Sequence, residues 1–173
     1  MTTRVKLEYM SDVVVEIIKR LSSNEGLARL LINNTDNPLE QTVTDEQKKQ
    51  LFTFNSDESK IYPFPFNPVA ETEDGSFIRV YYNYGEFNEN EVIVELDLYV
   101  DIVVAKSLWL MNNRGKSLIR PYEIAGRVIE LIGRRGVGGR NNIGVRAKSI
   151  KHLAVNNKFD AIRIHLDNMS VES

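Results

Sequence analysis

The clearest pattern in this chain is an alternation over 91–101, EVIVELDLYVD, in which one side is apolar and the other carries acids together with Ile93 and Tyr99. The polar positions carry four carboxylates: Glu91, Glu95, Asp97 and Asp101. A period of two residues is typical of a strand with one face in the core and the other in water. We therefore predict a long strand over 91–104 with an acidic face.

Helical spacing marks two segments in the first third of the chain. Apolar residues recur three and four positions apart over 11–21 and over 25–32, which predicts two amphipathic helices. Ser11 is the predicted N-cap of the first helix, and Asn24 or Ser23 that of the second, because short polar side chains can accept hydrogen bonds from the first amides of a helix. Thr44 is predicted to begin a short helix, since a glutamine follows three residues later, as in a capping box.

The rest of the pattern predicts three more strands and one more helix. The β-branched and aromatic run 77–84 precedes the acidic strand, and the short polar turn between them predicts an antiparallel hairpin. Alternation over 146–155 and 159–167 predicts a second hairpin at the end of the chain. Between the hairpins, Pro121 suits the first residue of a helix that Gly133 ends.

The order of these elements is helix, helix, long loop, strand, strand, helix, strand, strand. It predicts an α+β fold with a mainly antiparallel sheet and helices packed on one face. We expect a single domain over residues 1–173. Within it, 33–60 is predicted as a long loop or insertion, and 133–145 as a flexible, basic, glycine-rich loop.

Residues 61–68 read IYPFPFNP, and their prolines are incompatible with a helix or a central strand. An extended backbone is predicted, from which Phe64 and Phe66 project. Two interpretations stay open. The segment is either a connector whose aromatic side chains cover the edge of the core, or an arm that docks on a neighbouring subunit.

Composition narrows the function classes only modestly. The chain has 173 residues with a net charge of −2, so its bulk charge predicts neither nucleic-acid nor membrane binding. It has no cysteine, which excludes disulfides, thiol nucleophiles and cysteine-based metal sites. No apolar run approaches the ~20 residues of a membrane span, and the first residues lack a signal peptide's apolar core. We expect a protein made in a cytoplasm and used or assembled there.

The motifs that carry chemistry are weak. Residues 115–117 read GKS, but the glycine that a phosphate-binding loop needs five positions earlier is missing. His152 and His165 are expected to lie across the closing hairpin as packing residues, since no carboxylate stands at ligand spacing. Asp97 and Asp101 lie roughly 13 Å apart along a strand, too far for paired acid–base work. We expect no enzyme, no cofactor and no metal site.

The charge pattern is more informative. Residues 85–101 contain six acids and no base, whereas 133–151 contain six bases and no acid. The bases are Arg134, Arg135, Arg140, Arg146, Lys148 and Lys151. Surfaces of opposite sign on one fold favour head-to-tail association into a ring. Two alternatives stay open: the two segments face each other within the monomer, or the basic segment binds a nucleic-acid backbone.

The layout resembles that of the tail-terminator and tail-completion proteins of long-tailed bacteriophages. The similarity spans most of the chain. The matching features are NEGLARLL at 24–31, IYPFP at 61–65, the acidic strand 91–104, RPYEIA at 120–125, the glycine-rich loop and the two closing strands.

This resemblance implies a structural virion protein at the head–tail junction. It implies a ring, expected to be a hexamer, that caps the tail tube, touches the head–tail connector and surrounds a channel for DNA. An acidic channel wall would repel DNA phosphates and avoid trapping the genome. Glu91, Glu95, Asp97 and Asp101 are the predicted channel residues. Arg134, Arg135, Arg140, Arg146, Phe64 and Phe66 are the predicted contacts with neighbouring subunits. A tail-tube or baseplate adaptor is a further alternative.

Overall fold

A computed structural model describes most of the chain. The described residues are 8–53, 56, 58–65, 73–87, 89, 93–132 and 144–169. Within these ranges the fold is α+β, as the sequence predicts.

The helices are α1 (Glu8–Ser22), α2 (Glu25–Ile32), α3 (Asp45–Gln50) and α4 (Arg120–Ile132). The strands are β1 (Ile61–Tyr62), β2 (Ser76–Phe87), β3 (Ile93–Ala105), β4 (Leu110–Asn113), β5 (Lys116–Ile119), β6 (Gly144–Ala154) and β7 (Phe159–Met169).

Five strands form the main sheet in the order β1-β2-β3-β7-β6. The short strand β1 runs parallel to β2, and the other neighbours are antiparallel. The strand β3, which contains most of the acidic run, is therefore the middle strand. The prolines after Tyr62 fit the position of β1 at the sheet's margin, where a missing amide donor is tolerated.

The core lies between one face of this sheet and the helices α1, α2 and α4. Alternate residues of β3, namely Leu98, Val100, Ile102 and Val104, point into it and are fully buried. Ile17 of α1 and Val128 of α4 belong to the same cluster. The predicted packing of helices on one face of an antiparallel sheet is thus confirmed.

Local sequence signals place two helices well and one less well. The helix α2 has the predicted bounds, and Asn24 Oδ1 accepts a hydrogen bond from the Leu27 amide at 2.9 Å. The prediction for α1 was wrong at its start, because that helix already includes Glu8 and Ser11 lies inside it. Residues 9–12 of this helix are exposed or partly buried, and the buried apolar stripe begins only at Val13.

The segment 33–60 is more ordered than a long loop. Thr44 caps α3 through a reciprocal capping box with Gln47, as predicted. A short 3-10 turn covers Pro38–Glu40, and Leu51 is fully buried in the main core. Most of this segment therefore packs on the body of the protein.

Two further features were not predicted as strands. β4 and β5 form a two-stranded hairpin where the sequence indicated only a turn. Its loop residues Arg114 and Gly115 both have positive φ, 51° and 84°, which fits the tight turn that matches strand twist. In addition, β2 extends to Phe87, so the predicted polar turn after residue 84 begins later.

Arg120 at the start of α4 is fully buried and joins distant parts of the chain. Its guanidinium donates to the carbonyls of Leu30, Asn33, Thr35 and Leu108 at 2.5–3.0 Å. Burial lowers the pKa of Arg120 to about 10, which still leaves it charged at neutral pH. Because these carbonyls include the C-terminal end of α2, the positive charge also suits the helix dipole.

Candidate subunit-contact surface

The face of the main sheet opposite the helices is called the open face here, since no helix in the described ranges packs on it. It carries the polar positions of β3, including Asp97 and Asp101, together with the matching positions of β2 and β7. One end of this face is apolar, with Phe77, Val103 and Phe159 in a small second cluster. The middle and the other end are polar, and they contain the candidate site.

Asp101 lies at the centre of the open face and is bound on all sides. Register places it between Arg79 of β2 and Arg163 of β7. Arg163 donates from Nε and Nη2 to the two carboxylate oxygens of Asp101 at 2.8 and 2.9 Å. The Tyr81 hydroxyl donates to Oδ2 of Asp101 at 2.6 Å and accepts from Arg163 at 2.9 Å. We call these three residues, Tyr81, Asp101 and Arg163, the central triad.

The central triad contains an ion pair that is largely buried. Burial, together with the hydrogen bond to Asp101, raises the pKa of Tyr81 well above its ordinary value, so its hydroxyl stays protonated. The hydrogen bonds to Asp101 raise the pKa of Arg163, so its charge is secure. Asp101 itself is only 4% exposed. The expectation of a carboxylate in water is therefore corrected here, because both of its oxygens are satisfied within the protomer.

Next to the central triad, Asp97 faces His165 of β7. Nε2 of His165 is 2.7 Å from Oδ1 of Asp97, an ion-pair distance when the imidazole is protonated. Tyr99 packs edge-on against both His165 and Tyr81, and the Arg163 guanidinium lies 4.3 Å from the Tyr99 ring centre. Aromatic rings thus fill the space between the Asp101–Arg163 ion pair and the Asp97–His165 contact.

The proline-containing segment 61–68 begins at the edge of this cluster. The guanidinium of Arg79 lies 3.7 Å from the ring centre of Tyr62 and 5.3 Å from that of Phe64. Burial lowers the pKa of Arg79 to about 10. Phe64 is 42% exposed, so it covers Arg79 and still offers part of its ring to solvent. Phe66 lies outside the described residues, so the choice between connector and docking arm stays open.

Acidic residues collect where β2 ends and β3 begins. Register places Glu86 opposite Glu95, and Asp97 opposite Asp167 of β7. Like charges directly opposite each other destabilise a sheet by a few tenths of a kcal/mol or more. Glu86 and Glu89 are exposed. We call Glu86 and Glu89 the acidic corner.

The basic side chains lie on β6, at the opposite margin of the sheet. Arg146, Lys148 and Lys151 are all exposed, and we call them the basic edge. The segment Gly144–Ala154 contains no acid. One row of register runs from Tyr84 through Asp97 and Asp167 to Arg146, so charge changes sign across the sheet. Lys148 is 3.4 Å from Asp167, which neutralises part of that change within the protomer.

The structure describes only part of the predicted site. Glu91, Arg134, Arg135, Arg140 and the predicted helix stop Gly133 lie outside the described residues. The backbone of Glu95 lies in β3, as predicted, while Arg146 is exposed on β6. The two histidines lie on the two strands of the closing hairpin, as expected, but not directly opposite each other. His165 lies opposite Ser149, and His152 opposite Ile162, where it packs on Trp109.

Arg163 is the main residue of this surface that the sequence predictions did not single out. A signal existed, because Asp97 and Asp101 have the same spacing as Arg163 and Asp167 on the closing strand. Reading it required knowing that β3 and β7 are neighbours in the sheet. Arg120 gave no such signal, because its partners are backbone carbonyls far away in the chain.

The described ranges contain no group of three or more histidine and acidic side chains that could hold a metal ion. No helix in those ranges is long and apolar enough to cross a membrane. On the open face, Asp101 pairs with Arg163 and Asp167 with Lys148. The surface is therefore organised for charge contacts, through its acidic corner and basic edge.

Comparison with protein-family models gives a match that covers most of the chain. The model of the YomW family matches residues 24–167, which is most of the chain. The chain belongs to the YomW family. The family carries a phage-derived gene name, which indicates a phage protein. The matched region includes the central triad, the acidic corner and the basic edge. No curated protein and no solved structure matches the chain significantly.

Proposed function

We propose that this chain is a structural subunit of a phage particle that assembles into a ring at the head–tail junction. The ring, expected to be a hexamer, caps the tail tube beneath the head–tail connector, and DNA passes through its channel without specific binding. The subunit is made in the host cytoplasm and is retained in the virion. It acts by assembly and has no catalytic step.

The observation that carries this proposal is the separation of charge across the main sheet. The acidic corner and the basic edge lie at opposite margins of one rigid sheet, with β3 and β7 running between β2 and β6. Surfaces that are complementary but different on one subunit make heterologous contacts, and such contacts close into rings when the rotation fits. Membership of a phage-related family supports the same class of function.

The channel role is proposed for the predicted acidic residues other than Asp101. Asp101 is occupied by the central triad, so Glu91, Glu95 and Asp97 are the carboxylates that we propose for the wall. A wall of carboxylates repels DNA phosphates and lets the duplex slide. A ring reconstruction that placed all of these residues on the outer surface would contradict this role.

A second candidate function is a monomeric nucleic-acid-binding module. The three exposed cations of the basic edge favour it, together with the arginines of 133–140 in the sequence. The main sheet carries an acidic corner at its opposite margin, which would repel a nucleic acid that lay across the whole face. We therefore place this candidate second.

Particle mass separates the two candidates. Mass photometry and negative-stain imaging of the purified chain are expected to show discrete closed rings whose population grows with concentration. Charge reversal of Arg134 and Arg135 is expected to reduce the rings if that loop contributes to the contact. A monomer that binds duplex DNA with strong salt dependence would contradict the ring and support the second candidate.

A further inference from the structure

Four of the exposed charges on the two margins of the main sheet form no salt bridge inside the described part of the protomer, whereas Lys148 pairs with Asp167. Glu86 and Glu89 are exposed at the end of β2, and within the described ranges neither pairs with a lysine or an arginine. Arg146 and Lys151 are exposed on β6, and in those same ranges neither pairs with a carboxylate. Each margin therefore presents uncompensated charge to a partner.

The two margins cannot neutralise each other within one copy. The strands β3 and β7 lie between β2 and β6. Neighbouring strands are about 4.8 Å apart, so three spacings separate the margins by about 14 Å. That distance exceeds a Debye length at physiological ionic strength, about 8 Å, so the exposed charges are largely screened from each other. Complementarity between these margins is therefore available only to two different copies.

The outer edge of β6 is suited to receive a partner. β6 is the last strand in the sheet order, and no strand of the described ranges pairs with its outer side. An edge strand offers unpaired backbone amides and carbonyls to another extended chain. Three cations and a register irregularity between Ala147 and Ser149 protect this edge from pairing with a second β6. They do not oppose an acidic segment.

Each margin also carries one exposed apolar side chain beside its charges. Phe87, next to Glu86, and Ile150, next to Lys151, are each 56% exposed. Specific interfaces bury an apolar centre inside a charged rim. On β6, register with Ile164 places Ile150 on the helix-covered side of the sheet, whereas Lys151 and Arg146 lie on the open face. The two margins thus offer exposed apolar side chains as well as charges of opposite sign.

We propose that the outer edge of β6 in one copy binds the end of β2 in a second copy, with Lys151 and Arg146 facing Glu86 and Glu89. Phe87 and Ile150 add exposed apolar area to this edge-to-edge contact. This interface rests on the proposed ring, and it assigns the ring's contact to two strand edges in addition to the loop before β6. Because the two edges differ, each copy uses both, and the contact repeats from copy to copy.

Charge exchange tests this interface. Lys151→Glu and Glu86→Lys are each expected to weaken self-association by about ten-fold or more, because each places like charges in contact. The chain with both substitutions is expected to recover association, since the pair is restored with its signs exchanged. Lys49→Glu is the matched control, because Lys49 is exposed on α3 and carries the same charge change away from both edges. Circular dichroism and thermal melting establish that each variant folds.

The outcomes of this experiment are distinguishable from failure of the proposed function. If the wild-type chain forms rings and Lys151→Glu forms them equally well, the β6 edge is not the contact and the ring survives. If the chain with both substitutions stays as dissociated as the single variants, the pairing of these two residues is wrong. If the wild-type chain forms no oligomer at any concentration, both the ring and this interface are wrong. Ile150→Ser adds an uncharged probe, which is expected to weaken association without changing its salt dependence.

Discussion

The two faces of β3 are both buried, but different interactions stabilise them. Leu98, Val100 and Ile102 face the helices and are buried against apolar side chains. Asp101, one position away from two of them, is almost equally buried, yet it faces no helix in the described ranges. It is enclosed by Arg163, Tyr81 and neighbouring rings. Apolar burial stabilises without direction, whereas the central triad requires each partner to be in place.

This contrast explains why a strand whose polar positions are acidic in the sequence does not present all of its carboxylates to solvent. Within the described part of the open face, Asp101 is neutralised by Arg163, and Asp97 has His165 as its neighbour. The charge that remains for a partner lies at the margins, in the acidic corner and the basic edge. The centre of the open face therefore holds the fold together, and its margins are the surfaces available for assembly.

The largest expected effect comes from breaking the central triad at one member. Arg163→Ala leaves the buried Asp101 carboxylate without its cation, which is expected to cost about 3–5 kcal/mol of unfolding free energy. Urea unfolding followed by circular dichroism measures it. The paired change Asp101→Val with Arg163→Met is the control, and it is expected to recover much of that loss. A cost below about 1 kcal/mol for Arg163→Ala alone would contradict the buried ion pair.

The helix-covered face gives the matched apolar comparison. Leu98→Ala is expected to cost about 3 kcal/mol, because it removes buried methyl groups and leaves a cavity. Leu98→Met, which keeps the volume, is expected to cost less than about 1.5 kcal/mol. The same urea experiment measures both variants. Equal losses for alanine and methionine would indicate that packing does not decide stability at this position.

Tyr81→Phe tests the central triad through the pH dependence of unfolding free energy. The loss of the hydroxyl's bond to a carboxylate is expected to cost about 1.5 kcal/mol near neutral pH. The folded-state pKa of Tyr81 is raised above its ordinary value of 10.0, so its stabilisation is complete below pH 10 and falls as the pH rises toward the folded value. The stability difference between wild type and Tyr81→Phe is therefore expected to stay nearly constant from pH 8 to about pH 9.5 and to shrink as the pH rises from 10 to 11.

Lysines and other tyrosines also titrate in that range, but they are common to both proteins, so the difference isolates Tyr81. A stability difference that stays constant from pH 8 to pH 11 would show that this hydroxyl has no raised pKa.

The smallest expected effect lies at the acidic corner. Glu86→Gln removes one of two like charges that face each other in register, which is expected to raise the monomer's stability by about 0.3 kcal/mol. The same change is expected to weaken self-association. Glu130→Gln, on the exposed side of α4, is the control and is expected to change neither property. Loss of both stability and association would indicate that Glu86 has an ordinary structural role.

The sequence was sufficient for the architecture because hydrophobic period and capping chemistry are local signals. The bounds of α2, the cap of α3 and the closing hairpin all follow from residues within a few positions of one another. What it could not provide depends on which strands are neighbours. The pairing of Asp101 with Arg163 spans 62 positions, and Arg120 reaches carbonyls 85 to 90 positions away.

The candidate site divides in the same way. The separation of acid and base along the chain was visible in the sequence, and the exposure of Arg146 follows from its place on an edge strand. That Asp101 is buried, and that the acidic and basic margins are held apart by β3 and β7, could be learned only from the sheet order. The ring and its channel stay predictions.

Sedimentation velocity of the wild-type chain, Lys151→Glu and the chain carrying both Lys151→Glu and Glu86→Lys tests the central claim most directly. For the wild type we expect a discrete oligomer whose population rises with concentration and falls with added salt. We expect a monomer for Lys151→Glu at the same concentrations, and the oligomer again for the chain with both changes. A wild-type chain that sediments as a monomer throughout would contradict assembly through the margins of the sheet.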